Sequence, residues 1–100
     1  MEKRTPHYSL DSIKTQVAAL GIRAFTRTAQ VGLTQMGLSE AEAVGVVLGL
    51  TRGMLYKSMT THADHRVWQD VYHAPCPNGK TAYIKFTLRE GAVVIQFKEK

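Results

Sequence analysis

The chain has four histidines, His7, His62, His65 and His73, and these are the first side chains to weigh for chemistry. Imidazole titrates near neutral pH, so a pair of histidines can exchange protons with a substrate. His62 and His65 stand in the run His62-Ala63-Asp64-His65, a spacing that also invites a metal ion. Known metal-binding patterns require a further ligand pair, which this run lacks. His65 reads better as a hydrogen-bonded structural residue, and no metal or other cofactor is expected. The single cysteine, Cys76, lies between Pro75 and Pro77. No base beside it would activate the thiol, so it reads as inert. It has no partner for an internal disulfide, which suits a reducing, cytoplasmic setting.

Cationic side chains form the second chemical group. The chain of 100 residues carries a net charge of +5. Up to Thr51, five Lys or Arg stand against four acids; from Arg52 onward eight stand against four, so the second half holds +4 of the total. A basic half suggests a polyanionic partner, nucleic acid being the simplest. An ordinary basic surface would give the same count. No apolar run approaches the roughly 20 residues that a bilayer requires. The basic start Met1–His7 has no apolar stretch behind it, so neither a membrane span nor a secretory signal is expected. The length suits one domain over residues 1–100.

Helices are predicted in the first half. Leu10, Ile13, Val17 and Leu20 recur at helical spacing, with Ser9 as N-cap and Gly21 as the stop. Ile22 to Phe25 reads as a short extended piece. Thr26 can cap a second helix that runs to about Met36 and stops at Gly37. Ser39-Glu40-Ala41-Glu42 is a capping box, and the third helix behind it sends Ala43, Val46, Val47 and Leu50 toward the core. Gly45 and Gly49 weaken that helix by about 1 kcal/mol each relative to Ala, and would allow close packing on a sheet.

The second half changes to period two. Strands are predicted over Met54–Thr61, Val67–His73, Thr81–Leu88 and Ala92–Lys98. A loop with Asn78-Gly79 at its tip separates the middle pair, and Arg89-Glu90-Gly91 is a tight hairpin turn. The fold class is therefore α+β, with N-terminal helices packed on one face of a mostly antiparallel sheet. Ala82, Ile84, Phe86 and Leu88 alternate with Tyr83, Lys85 and Thr87; Val93, Ile95 and Phe97 alternate with Val94, Gln96 and Lys98. One face should meet the helices, while Tyr83, Lys85, Gln96 and Lys98 face solvent or a ligand. Trp68 and Tyr72 share a strand face and read as core. Strict alternation groups Lys57 with Leu55 and Met59, and Gln69 with Val67 and Val71. Only a bulge or a strong twist would carry Lys57 and Gln69 to the polar face.

Three stretches resemble the motility quorum-sensing regulator (MqsR) family of RelE-like toxins. They are Met1–His7, the long block Leu55-Tyr56-Lys57-Ser58-Met59-Thr60-Thr61-His62-Ala63-Asp64-His65-Arg66-Val67-Trp68-Gln69-Asp70-Val71-Tyr72, and Phe97-Lys98-Glu99-Lys100. The stretch from about Val17 to Thr51 is the least similar. The resemblance implies a RelE-like fold and a ribosome-independent endoribonuclease, an mRNA interferase acting at GCU-type sites. It also implies a zinc- and DNA-binding antitoxin partner, MqsA, through which alone the toxin would meet DNA. The functional residues it implies fall on Lys57, Gln69, Tyr83 and Lys98, with His7, Tyr56 and Met59 in supporting, RNA-binding roles. Lys85, on the polar face, joins the RNA-binding set. His73 belongs to the RNA-binding set as well, although the resemblance implies an arginine there and neutral imidazole is a weaker anion ligand than guanidinium.

RNA brings its own nucleophile, the 2′-hydroxyl. A metal-free ribonuclease must help deprotonate it, stabilise charge on phosphorus and help protonate the departing 5′ oxygen. Lys57 and Lys98 can supply positive charge, or a proton if their pKa is lowered. Tyr83 can donate a hydrogen bond, and Gln69 can orient the substrate or read a base edge. Two other classes compete: a nucleic-acid-binding module without catalysis, and a regulator that acts on DNA only through its antitoxin. Cleavage of RNA separates the first reading from both.

Overall fold

The computed structural model describes residues 1–100. Ser9 accepts a hydrogen bond from the Ser12 N–H and starts α1, Leu10–Leu20, which ends where Gly21 turns to a φ of 59°. That positive φ favours glycine, so the stop is written in the residue type. Thr26 caps α2, Arg27–Gln35, and the predicted capping box opens α3, Glu40–Leu48, with both reciprocal hydrogen bonds present. Gly21–Ala24 is a turn of 3-10 helix, where the sequence reading places an extended piece over Ile22 to Phe25. Only Phe25 is extended, in a parallel bridge to Ile95.

Five strands make one sheet in sequence order, every pair antiparallel: β1 (Glu2–Lys3), β2 (Leu55–Thr60), β3 (Trp68–Pro75), β4 (Thr81–Arg89) and β5 (Ala92–Glu99). β1 is too short to leave a periodic signal and was not expected. The β4–β5 hairpin closes through Glu90 and Gly91, both at positive φ, as a tight two-residue turn requires.

The helices cover one sheet face. Ile13, Val17, Ala29, Leu33, Ala43, Val47 and Leu50 pack on Tyr72, Ala82, Ile84, Phe86, Ile95 and Phe97, all buried. Val46 is only half-buried. Gly45 and Gly49 do not serve close packing on the sheet: a Cβ at Gly45 would meet nothing, and one at Gly49 only its own helix. The glycine that does so is Gly32 in α2, where a Cβ would overlap the carbonyl oxygen of Phe97. β5 is an edge strand, and its Ile95 carbonyl accepts from Thr26 N–H. α2 therefore lies along that edge and shields its outward carbonyls, a common protection against unwanted strand pairing.

Candidate functional site

One residue of β2 decides which side chains meet. Leu55 pairs with Tyr72 while Lys57 pairs with Val71, so the register slips at Tyr56. This is a β-bulge, and it reverses the alternation beyond it. Leu55 stays on the helix side; Lys57 and Met59 turn to the opposite face. In β3, Asp70, Tyr72 and Ala74 are in register with Phe86, Ile84 and Ala82 on the helix side, so Gln69, Val71 and His73 point away. The bulge thus supplies the flip that alternation alone left open for Lys57. Gln69 needs no flip: its partners in alternation, Val71 included, belong to the outer face.

The outer face is ordered in cross-strand rows. His73, Tyr83 and Lys98 stand in one register line, and Lys57, Val71, Lys85 and Gln96 in the next. Met59 pairs with Gln69 in a third. Along the first line the Tyr56 ring stacks on His73 at 4.5 Å, His73 lies 5.5 Å from Tyr83, and Lys98 Nζ is 5.2 Å from the Tyr83 ring centre. Lys57 Nζ is 5.4 Å from the Tyr56 ring centre. Tyr56, His73, Tyr83 and Lys100 line a hollow of about 510 Å³. A larger hollow, about 570 Å³, lies along α2 between Arg27 and Gln35 and contains none of these groups.

His7 is not brought to this face. Its N–H donates to Asp70 Oδ1 at 3.0 Å, its ring stacks on Trp68 at 5.1 Å, and Lys3 Nζ lies 3.0 Å from its Nδ1. Asp70 is fully buried on the helix side and accepts from Tyr8 N–H as well. Trp68 is half-buried under this N-terminal segment, with Lys3 above its ring, so the core proper ends at Tyr72. His65 is exposed and makes no hydrogen bond through its ring; it is not the structural residue expected. Asp64 holds that loop instead, bonding Thr61 and Arg66. His62 is exposed beside it, and nowhere do three His, Cys, Asp or Glu side chains come together to hold a metal ion.

A family model described as "Motility quorum-sensing regulator, toxin of MqsA" matches residues 5–99. The chain belongs to the MqsR toxin family. It is 41% identical over 100 residues to the mRNA interferase toxin MqsR of Escherichia coli (strain K12), with all of both chains covered. Helices on one face of an antiparallel sheet are the RelE-like arrangement expected of an MqsR-family chain.

Charge on the outer face of this MqsR-family sheet is set by partners that sequence reading missed. Glu2, brought in by β1, accepts a hydrogen bond from Lys57 at 2.7 Å. That bond is the main reason the Lys57 pKa lies above the ordinary lysine value, against the opposing pull of burial; the Glu2 charge and the Tyr56 and Tyr83 phenols add to the rise. The same bond lowers Glu2. His73 is shifted the other way: burial, then the charge of Lys100, lowers its pKa and favours the neutral ring. Its Nε2 is buried without a hydrogen-bond partner. Cys76 is buried, and burial raises its thiol pKa, in keeping with an inert residue. Lys100 was legible as the next outward position after Lys98. Glu2 had no local signal, because its place depends on a strand of two residues.

Proposed function

We propose that the chain is a sequence-selective endoribonuclease toxin that cleaves mRNA without a ribosome, at GCU-type sites, and is held in check by an MqsA-like antitoxin. The observation that carries this reading is the gathering of Lys57, Tyr83 and Lys98, from three strands, on the one sheet face that the helices leave free. The E. coli relative is named an mRNA interferase toxin, and the family is described as the toxin of MqsA. Contact with DNA would come only through the antitoxin.

The 2′ oxygen attacks phosphorus while its proton passes to a base. The bond from phosphorus to the 5′ oxygen breaks, and that oxygen takes up a proton. The products are a 2′,3′-cyclic phosphate and a 5′-hydroxyl. Lys57 enters as a cation and not as the base, since the Glu2 contact favours its protonated form. Glu2 is the more exposed partner, 57% against 21% for Lys57, so a phosphate can take its place and, as an anion, keep Lys57 protonated. Lys57 and Lys98 then stabilise the charge that grows on the phosphoryl oxygens. Tyr83 donates a hydrogen bond from between them. Gln69 orients the strand, Lys85 grips a neighbouring phosphate, and Tyr56 and Met59 offer surfaces to bases. His73 packs between Tyr56 and Tyr83 and adds no charge; the cations at that end are Lys98 and Lys100. His7, on the other side of the sheet, is left out of the RNA-binding set.

Purified protein, in EDTA and without ribosomes, is incubated with an RNA holding one GCU and a matched RNA without it, beside Lys98→Ala. Wild type is expected to cut at GCU and leave a 5′-hydroxyl, and Lys98→Ala to lose at least about a hundredfold in rate, as loss of an oxyanion-stabilising donor does. A 5′-phosphate product would exclude attack by the 2′-hydroxyl. RNA binding that weakens with salt, with no cleavage by folded protein, would favour the non-catalytic binding reading.

A further inference from the structure

A second cleft opens where α2 passes the outer face of the sheet. Thr28 and Gln35 of α2, with Tyr83, Lys85, Gln96 and Lys98 of the sheet, wall a space of about 490 Å³. Tyr83 and Lys98 belong at once to this cleft and to the His73–Tyr83–Lys98 line, so the two are continuous. Two lysines and no carboxylate line it, which suits a phosphodiester strand.

The polar groups of this wall are set for a ligand. Thr26 Oγ1 accepts from Ala29 N–H at 3.1 Å and donates its own hydrogen to Gln96 Oε1, 3.3 Å away. That bond fixes which way the Gln96 carboxamide faces and leaves its NH₂ without a partner. In α2, Gln30 and Thr34 spend their side chains on backbone carbonyls, whereas Gln35 and Thr28 bond nothing in the chain. Between them Val31 is 51% exposed and adds an apolar surface to the cleft. The free NH₂ of Gln96 and the unpaired carboxamide of Gln35, together with a flat apolar contact, suit a nucleobase edge and ring.

We propose that this cleft holds the nucleotide next to the scissile phosphate and that Gln35 and Gln96 read its base. The cleft acts so only if the chain cleaves RNA as proposed.

The test is cleavage of an RNA pool randomised at the positions flanking the cut, read by sequencing the ends, with wild type, Gln35→Ala, Gln96→Ala and, far from the cleft, Lys14→Ala. The expected result is that both glutamine variants lose discrimination at the same flanking position by about tenfold or more, while Lys14→Ala keeps the wild-type profile. If Gln96→Ala does not fold, Gln35→Ala, on the exposed end of a helix, decides alone. Unchanged base ratios, or an equal loss at every sequence, overturn the reading role while leaving the ribonuclease intact. A folded wild type that cuts nothing in the pool overturns the ribonuclease reading, and this cleft's role with it.

Discussion

Glu2 and His73 show how single partners set the charge of the outer face. Glu2 holds Lys57 protonated, and burial favours the neutral ring of His73. The second effect reaches folding through proton linkage. Above the ordinary histidine value of 6.5 both folded and unfolded chains carry a neutral His73, and its contribution to stability is complete. As pH falls below that value the unfolded chain takes up the proton first, and stability declines until the lowered folded pKa is passed. Urea midpoints measured from pH ~7.5 down to ~5 should therefore fall. His73→Phe, which keeps a ring between Tyr56 and Tyr83, should flatten the decline. An equal slope in both proteins would place the acid sensitivity elsewhere.

Elements meet through two local devices, the bulge at Tyr56 and the missing side chain at Gly32. Each places a wall of a proposed site: the bulge turns Lys57 outward, and Gly32 lets α2 approach β5 closely beside the second cleft. Gly32→Ala should raise helix propensity by about 1 kcal/mol, yet the added methyl overlaps the backbone at Phe97, which cannot swing aside as a side chain would. Overpacking of this kind costs about 1–3 kcal/mol, so the net change is expected to be destabilising. Thermal unfolding would measure it; a higher melting temperature for Gly32→Ala would mean that α2 can lift off the edge freely. The helix caps are different, since Ser9, Thr26 and Ser39 act within their own turns. That is why α1, α2 and α3 were legible to within a residue or two.

Across the whole molecule the helices bury one sheet face and leave a basic one. Lys57, Lys85, Lys98 and Lys100 lie on or beside it. Binding of an RNA with a 2′-deoxy group at the cut, which blocks cleavage, should weaken with salt. Neutralising three or four phosphates of a single strand gives a log–log slope of about −2 to −3, and Lys85→Ala should lessen it by about 0.7. A slope near zero would remove electrostatics from the recognition. No helix is long and apolar enough to cross a membrane.

By itself the sequence determined what depends on near neighbours. It set the helix starts and stops, the Glu90-Gly91 turn, and the two faces of β4 and β5, because capping bonds and side-chain alternation act over a few residues. The outward placing of Tyr83, Lys85 and Lys98 followed from that alternation. Only the tertiary structure decided that Lys57 joins them, that Glu2 caps Lys57, that Asp70 draws His7 to the opposite side, and that α2 walls a cleft with Gln96. Those contacts join residues as much as 70 positions apart, as Thr26 and Gln96 are. A one-residue slip in pairing leaves composition and spacing unchanged but reverses a strand's faces, so only the paired sheet reveals it.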